Sequence, residues 1–192
     1  MPNIERTSDI GRTERRSACP LGRLLLRALW DLASTVVPAV LIALCVNVFV
    51  AQATEIEGPS MQPNLYYDQW VVLDKATFRF FRAPRRGDVV TFTIPGQEQA
   101  LIKRVVGLPG ETVEVRDGEV FINGQLLEEH WLTCQGGPNY PPQVVPPSHL
   151  FVLGDNRPNS QDSRYFGPVP TDRISGRALL VCWPLDQVKP VR

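Results

Sequence analysis

The segment DVVTFTIPGQEQALIKRVVGLPGETVEVRDGEVFI, residues 88–122, holds the clearest pattern in this chain. Short runs rich in Val, Ile, Thr and Phe alternate with turns that contain Gly or Pro, which is typical of antiparallel strands. Asp117-Gly118 between two such runs is a strong hairpin signal. Runs of this kind recur outside the segment, and together they cover residues 69–74, 88–94, 100–106, 112–116, 119–122, 149–153 and 176–182. The sequence therefore predicts a mostly β fold.

An uncharged apolar stretch, LASTVVPAVLIALCVNVFVA, covers residues 32–51. A helix of that length spans about 30 Å, the thickness of the hydrocarbon core, so one transmembrane helix is predicted. Residues 1–31 carry six arginines against four acids, whereas residues 52–192 carry fourteen basic residues against sixteen acids. The positive-inside rule then makes residues 1–31 a cytoplasmic tail, polar and disordered up to residue 20, and exports residues 52–192.

A cleavable signal peptide is the alternative to this anchor, because the stretch ends in Ala51-Gln52-Ala53. The charged region before the stretch is about thirty residues long, which is unusual for a signal peptide and favours an uncleaved anchor.

Charge and cysteine content argue against two other classes of protein. The 20 basic and 20 acidic residues balance, whereas a nucleic-acid-binding protein needs a basic face. The cysteines form no CxxC pair, and no second ligand pair follows His130 and Cys134, so neither a metal nor a cofactor is predicted. If the C-terminal part is exported, Cys134 and Cys182 are able to form a disulfide.

Two segments hold a possible nucleophile and base. Ser60 lies in Gly58-Pro-Ser-Met-Gln-Pro63, a turn whose backbone is constrained. Lys103 lies in the middle of a predicted strand that is apolar on both faces, with Leu101 and Val105 on its own face. Burial lowers the pKa of an amine, and a neutral amine accepts a proton from a serine hydroxyl. Taken singly, each segment also fits an ordinary turn or strand.

A third polar segment, GDNRPNSQDSR, covers residues 154–164. Asp155, Asp162 and Arg164 are able to form an ion-pair network, and Ser160 is able to hydrogen-bond a buried amine. An ordinary polar turn with caps is the alternative interpretation.

These three segments, in their order along the chain, resemble the sequence boxes of type I signal peptidases. The matching stretches are Ser60-Met-Gln-Pro63, Arg86–Val90, Lys103-Arg-Val-Val-Gly-Leu-Pro-Gly-Glu111 and Gly154–Arg164. The resemblance covers the anchor and most of residues 54–183. It implies that Ser60 is the nucleophile, Lys103 the general base and Ser160 the residue that orients the amine. It also implies structural roles near the site, which fall on Arg104, Asp155, Asp162 and Arg164.

The resemblance further implies a membrane-bound serine endopeptidase that removes signal peptides from preproteins after small-x-small sites such as Ala-x-Ala. Its fold would be a β-rich catalytic core with a small β extension at about residues 116–148. Asn64 and Gly58 depart from the family pattern, which commonly has Thr and sometimes Ser there. Without a hydroxyl at Gly58, the oxyanion hole relies on backbone N–H groups, most simply that of Ser60. Met61 is a candidate for lining a substrate pocket.

Two other functions and one local question stay open. A self-cleaving Ser-Lys repressor needs a DNA-binding N-terminus, where this chain has an apolar stretch. A membrane-tethered β domain that only binds a partner needs no nucleophile. The segment Phe78-Arg-Phe-Phe-Arg82, which Arg85-Arg86 follows, fits either the lipid interface or a hairpin with its rings in the core.

Overall fold

The structure is a computed structural model that describes residues 20–45, 51–97, 99–132 and 135–191. The chain divides into two compact units, Met1–Leu44 and Cys45–Arg192. Most of the tail predicted to be disordered lies outside the described residues.

The first unit contains one long helix, α1, which covers Pro20–Cys45. Its segment Gly22–Leu44 is long and apolar enough to cross a membrane, with a mean hydropathy of 1.6. The helix begins well before Leu32, because the preceding LGRLLLRALWD consists mostly of good helix formers and Pro20 suits the first helical position. At the other end of the predicted stretch, Ala51 belongs to a strand.

The described residues of the second unit form twelve strands, all of which pair antiparallel. They are β1 (Ala51–Glu55), β2 (Trp70–Asp74), β3 (Val89–Phe92), β4 (Leu101–Gly107), β5 (Thr112–Arg116), β6 (Glu119–Ile122), β7 (Gln125–Leu126), β8 (Tyr140–Val144), β9 (His149–Leu153), β10 (Val169–Pro170), β11 (Ile174–Trp183) and β12 (Lys189–Pro190). The predicted mostly β fold with one N-terminal helix is confirmed.

The strands form two sheets. The larger sheet has the order β1-β2-β11-β3-β4-β9-β10, with β12 beside β11. The smaller sheet has the order β7-β6-β5-β8. The extension was predicted at about residues 116–148, whereas β5, the first strand of this sheet along the chain, begins at Thr112. The Pro-rich residues 134–148 include β8, where Pro141 and Pro142 are tolerated because β8 is an edge strand.

Short helical segments connect the strands. Each has three to five residues, and they are a π-helical turn at Thr77–Phe81, 3-10 turns at Arg157–Asn159, Thr171–Arg173 and Leu185–Gln187, and α2 at Ser163–Phe166. The carboxylate of Asp162 caps α2 by accepting a hydrogen bond from the N–H of Arg164 at 3.3 Å.

Strand β4 lies in the core. Its residues 102–107 are all buried, so the prediction that both faces of this strand are buried is confirmed. Ile102 packs in an apolar cluster with Ile56, Met61 and Val71. Val105 packs in a second cluster between the neighbouring strands β3 and β9, and Val106 in a third beneath the smaller sheet. Lys103 therefore extends from a strand that is buried on both faces.

Candidate active site

The turn that carries Ser60 lies in the loop between β1 and β2. Gly58 has φ +106°, a conformation that a residue with a side chain rarely adopts. The N–H of Gln62 donates to the carbonyl of Pro59 at 3.1 Å, and Met61 is fully buried in the core beside Leu65. The neighbours of Ser60 thus hold the turn in place while Ser60 itself stays half-exposed.

Lys103 reaches Ser60 from β4. Its Nζ donates a hydrogen bond to Oγ of Ser60 at 2.7 Å and another to the carbonyl of Ile102 at 2.9 Å. The side chain of Lys103 is 3% exposed. Burial of the ammonium lowers the pKa of Lys103 from 10.5 to about 8, although the carboxylates of Asp162 and Asp155 act in the opposite direction. The amine therefore has both the position and the basicity to take the hydroxyl proton.

Residues 154–160 pack against the backbone of Ser60. The N–H of Asn156 donates to the carbonyl of Ser60 at 3.0 Å. A Cβ on Gly154 would lie 2.5 Å from that carbonyl oxygen and 2.6 Å from Cβ of Ser160, so only glycine fits between the two serines. Oγ of Ser160 is buried and has no hydrogen-bond partner among the described residues. Its orientation of the amine stays a prediction.

Arg104, which follows Lys103 in β4, forms a buried ion pair with Asp155. Nε and Nη2 of Arg104 donate to the two carboxylate oxygens at 2.7 and 2.6 Å, and both side chains are 1% exposed. The guanidinium lies 5.0 Å from the ring centroid of Trp131. Nδ2 of Asn64 donates to Asp155 at 2.8 Å and to the carbonyl of Trp131 at 2.9 Å. The residue that departs from the family's Thr thus links the nucleophile turn to this pair.

Asp162 and Arg164 form a second buried pair, with two hydrogen bonds of 2.8 Å. Asp162 also accepts the N–H of Gly154 at 3.1 Å. Sequence reasoning missed Arg157, which is buried, donates to the carbonyl of Gly154 at 3.0 Å and pairs with Glu129. Its position inside the polar segment 154–164 was the available signal, but nothing in the sequence pointed to Glu129 as its partner.

A cleft of about 170 Å³ opens beside the two catalytic candidates. Residues 54–60 form one wall, and the other is formed by Thr91, residues 100–103 and Gln161. No hydrogen bond of the Ser60 N–H occurs among the described residues, and Ser60 lines the cleft. Met61 is not among the residues that line the cleft, and its predicted contact with substrate stays a prediction.

Of the two cysteines predicted to be able to form a disulfide, Cys182 lies among the described residues. Cys134 lies outside them, so its predicted pairing with Cys182 stays a prediction. Among the described residues, no group of three or more His, Cys, Asp and Glu side chains is arranged to hold a metal ion.

The chain is similar to known proteins over most of its length. A family profile described as "Signal peptidase, peptidase S26" matches residues 29–183. The chain belongs to this family. A "Signal peptidase I" of Leptolyngbya laminosa is 42% identical over 158 residues, which are 78% of this chain and 77% of the relative. A "Probable signal peptidase I-2" of Synechocystis is 38% identical over 164 residues, 82% and 75% of the two chains.

This chain is also similar to a signal peptidase I from Enterococcus faecalis whose crystal structure is known. It is 40% identical, covers 50% of this chain and 97% of its own, and has a TM-score of 0.43. The family match and the named relatives of this chain show that it is a serine peptidase. The predicted resemblance to type I signal peptidases is confirmed.

Proposed function

We propose that the chain is a signal peptidase I in which Ser60 is the nucleophile and Lys103 the general base. The observation that supports this proposal is the 2.7 Å contact between Nζ of Lys103 and Oγ of Ser60 at the edge of the cleft. The pKa of about 8 for Lys103 supports it further, because an ordinary lysine is almost entirely charged near neutral pH.

The proposed reaction has two halves. The neutral amine of Lys103 takes the proton of Ser60 as Oγ attacks the scissile carbonyl carbon, and the N–H of Ser60 donates to the resulting oxyanion. The ammonium then returns the proton to the leaving amine, and the peptide bond breaks. In the second half, Lys103 takes a proton from the water that attacks the acyl carbon. It then returns this proton to Oγ of Ser60 as the ester bond breaks and the signal peptide leaves with a free carboxylate.

The cleft favours an extended substrate. Its walls, residues 54–57 and residues 100–103, continue β1 and begin β4, so a peptide between them runs alongside strand backbone. Cleavage of preproteins after small-x-small sites, which the family resemblance implies, is the specificity that we propose.

The test is cleavage of a preprotein with an Ala-x-Ala site by the detergent-solubilised full chain, with N-terminal sequencing of the product. Ser60→Ala is expected to abolish cleavage while the protein stays folded, because no other hydroxyl among the described residues forms a hydrogen bond with the amine of Lys103. Ser175→Ala, at an exposed serine of β11 outside the cleft, is the matched control and should retain full activity. Activity in Ser60→Ala would refute the assignment of Ser60 as the nucleophile, whereas no cleavage by the unmodified chain would favour the alternative of a non-enzymatic binding domain.

We also propose that α1 anchors the protein with its N-terminus in the cytoplasm and the catalytic unit exported. The support is the apolar segment Gly22–Leu44 and the arginine excess of residues 1–31. In sealed right-side-out vesicles, external protease should reach and cut the mostly exposed, Pro-rich stretch around Pro141–Pro147. Complete protection of that stretch would contradict the orientation.

A further inference from the structure

One wall of the cleft is an edge of the larger sheet. Strand β1 comes first in the strand order, so β2 is its one neighbour among the described residues. Just beyond β1, the N–H of Ile56 donates to the carbonyl of Gln69 at 2.8 Å, and the N–H of Asp68 donates to the carbonyl of Ile56 at 3.2 Å. Because alternate residues of an antiparallel strand direct these groups to opposite sides, those of Glu55 and Glu57 point toward the unpaired edge.

Side chains along this wall alternate between the core and the surface. Ile56 is buried in the same apolar cluster as Met61, whereas Glu55 and Glu57 on either side of it are exposed. Apart from Lys103, these two glutamates are the charged residues that line the cleft. Neither of their carboxylates forms an ion pair in the part of the chain that the structure describes. The outer face of this wall therefore carries two negative charges that no cation of the protein neutralises among those residues.

A buried hydroxyl that lines the same cleft also lacks a partner. Thr91, which lies opposite Ile102 in the pairing of β3 with β4, is 3% exposed, and its Oγ1 forms no hydrogen bond among the described residues. A buried polar group without a partner costs stability, and the backbone of a peptide carries both donors and acceptors. The unpaired strand edge and this hydroxyl together indicate that an extended peptide is the occupant of the cleft.

Strand geometry determines where each side chain of such a peptide points. Successive side chains alternate between two faces, so the two small residues of a small-x-small site share one face and residue x takes the other. The small side chains belong on the inner face, where the protein limits their size, and residue x then lies on the outer face. Residues opposite each other in paired strands have their Cβ atoms about 5 Å apart on the same face. Residue x therefore lies beside Glu55 or Glu57.

We propose that Glu55 and Glu57 select substrates with a basic side chain at residue x, between the two small residues of the cleavage site. This inference rests on the proposed function and deepens it, because it adds a charge preference to a specificity that is otherwise defined by size. A lysine or arginine at x pairs with the glutamates across the added strand, whereas an acidic side chain at x is repelled by them. A neutral polar side chain at x is neither attracted nor repelled.

The test compares three soluble peptides that differ only at x and carry Ala-Lys-Ala, Ala-Gln-Ala or Ala-Glu-Ala before the scissile bond. The full chain is solubilised in an uncharged detergent at low salt, and kcat/KM is measured for each peptide. The unmodified chain is compared with a variant that combines Glu55→Gln and Glu57→Gln, in which both side chains keep their size but lose their charge. Glu119→Gln with Glu128→Gln, at two acids outside the cleft, is the matched control for net charge.

The unmodified chain is expected to cleave the Lys peptide about threefold faster than the Gln peptide and on the order of tenfold faster than the Glu peptide. Both ratios should fall to about one in the variant without Glu55 and Glu57 and should persist in the control. Equal cleavage of the three peptides by the unmodified chain, or ratios that survive in that variant, overturns the inference while the proposed function stands. Cleavage of none of the peptides contradicts the proposed function itself, and the inference falls with it.

Discussion

The assignment of Lys103 as general base makes a quantitative prediction about pH. Its pKa of about 8 leaves roughly a tenth of the amine neutral at pH 7, whereas a lysine at 10.5 leaves roughly one in three thousand. The difference between the two pKa values corresponds to about 3 kcal/mol, which is the net of the lost ammonium hydration and the opposing attraction of Asp162 and Asp155. Lys103→Arg is the sharpest perturbation, because it keeps the charge and approximate length but the guanidinium stays protonated.

The assay is kcat/KM for a short soluble peptide with an Ala-x-Ala site, measured over the range of stability of the protein. The value should rise about tenfold per pH unit below pH 8 and level off above it, as the free enzyme loses the proton of Lys103. Lys103→Arg should show no activity at any pH. A profile that keeps rising through pH 10.5, or an active Lys103→Arg, would refute the assignment.

Stability gives an independent measure of the same burial. The folded-state pKa of Lys103 lies below the unfolded value, so the unfolded chain binds the extra proton between about pH 8 and pH 10.5 and the free energy of unfolding rises with pH there. Lys103→Met removes the buried ammonium and should stabilise the protein at pH 7 by up to about 3 kcal/mol. Denaturant unfolding should show this advantage shrinking toward pH 10.5. An advantage that does not change with pH would point to packing instead.

Two substitutions near the nucleophile separate geometry from charge. Gly154→Ala puts a Cβ 2.5 Å from the carbonyl oxygen of Ser60 and against Ser160. The value of kcat/KM should therefore fall on the order of a hundredfold, while the circular dichroism spectrum stays unchanged. Wild-type activity in this variant would contradict the close packing. Asn64→Asp adds a second carboxylate beside Asp155, which should move the midpoint of the pH–rate profile to higher pH. Asn64→Leu removes the hydrogen bond without adding charge, and an equal shift in that variant would exclude the electrostatic explanation.

Local patterns in the sequence predicted most of the strands. Asp117-Gly118 forms the hairpin between β5 and β6, with Val115 opposite Val120, because this dipeptide adopts the positive φ values that the turn needs. Strand β1, AQATE, escaped prediction because it lacks the usual β-branched pattern and follows directly on an apolar stretch. Its strand conformation depends on pairing with β2, a long-range contact that a local pattern does not encode.

The candidate site was only partly predictable for a similar reason. The boxes identified Ser60 and Lys103 as a pair, and the structure brings them into contact. The direction of Met61 was not predictable, because an irregular turn has no side-chain period, and the structure buries it in the core. The partners of buried charges were equally hidden, since Arg157 and Glu129 are 28 residues apart and nothing local relates them.

The two buried ion pairs explain how the pKa of Lys103 stays lowered in the company of acids. Asp155 and Asp162 both act to raise the pKa of Lys103, and uncompensated they would hold the proton on the amine. Each carboxylate is instead bound by two donors of one guanidinium, Asp155 by Arg104 and Asp162 by Arg164, in bonds of 2.6 to 2.8 Å. A paired carboxylate presents a dipole rather than a full charge to its surroundings, so desolvation remains the larger effect. The acids can therefore fix the backbone around Ser60 without cancelling the lowered pKa of Lys103, the proposed base.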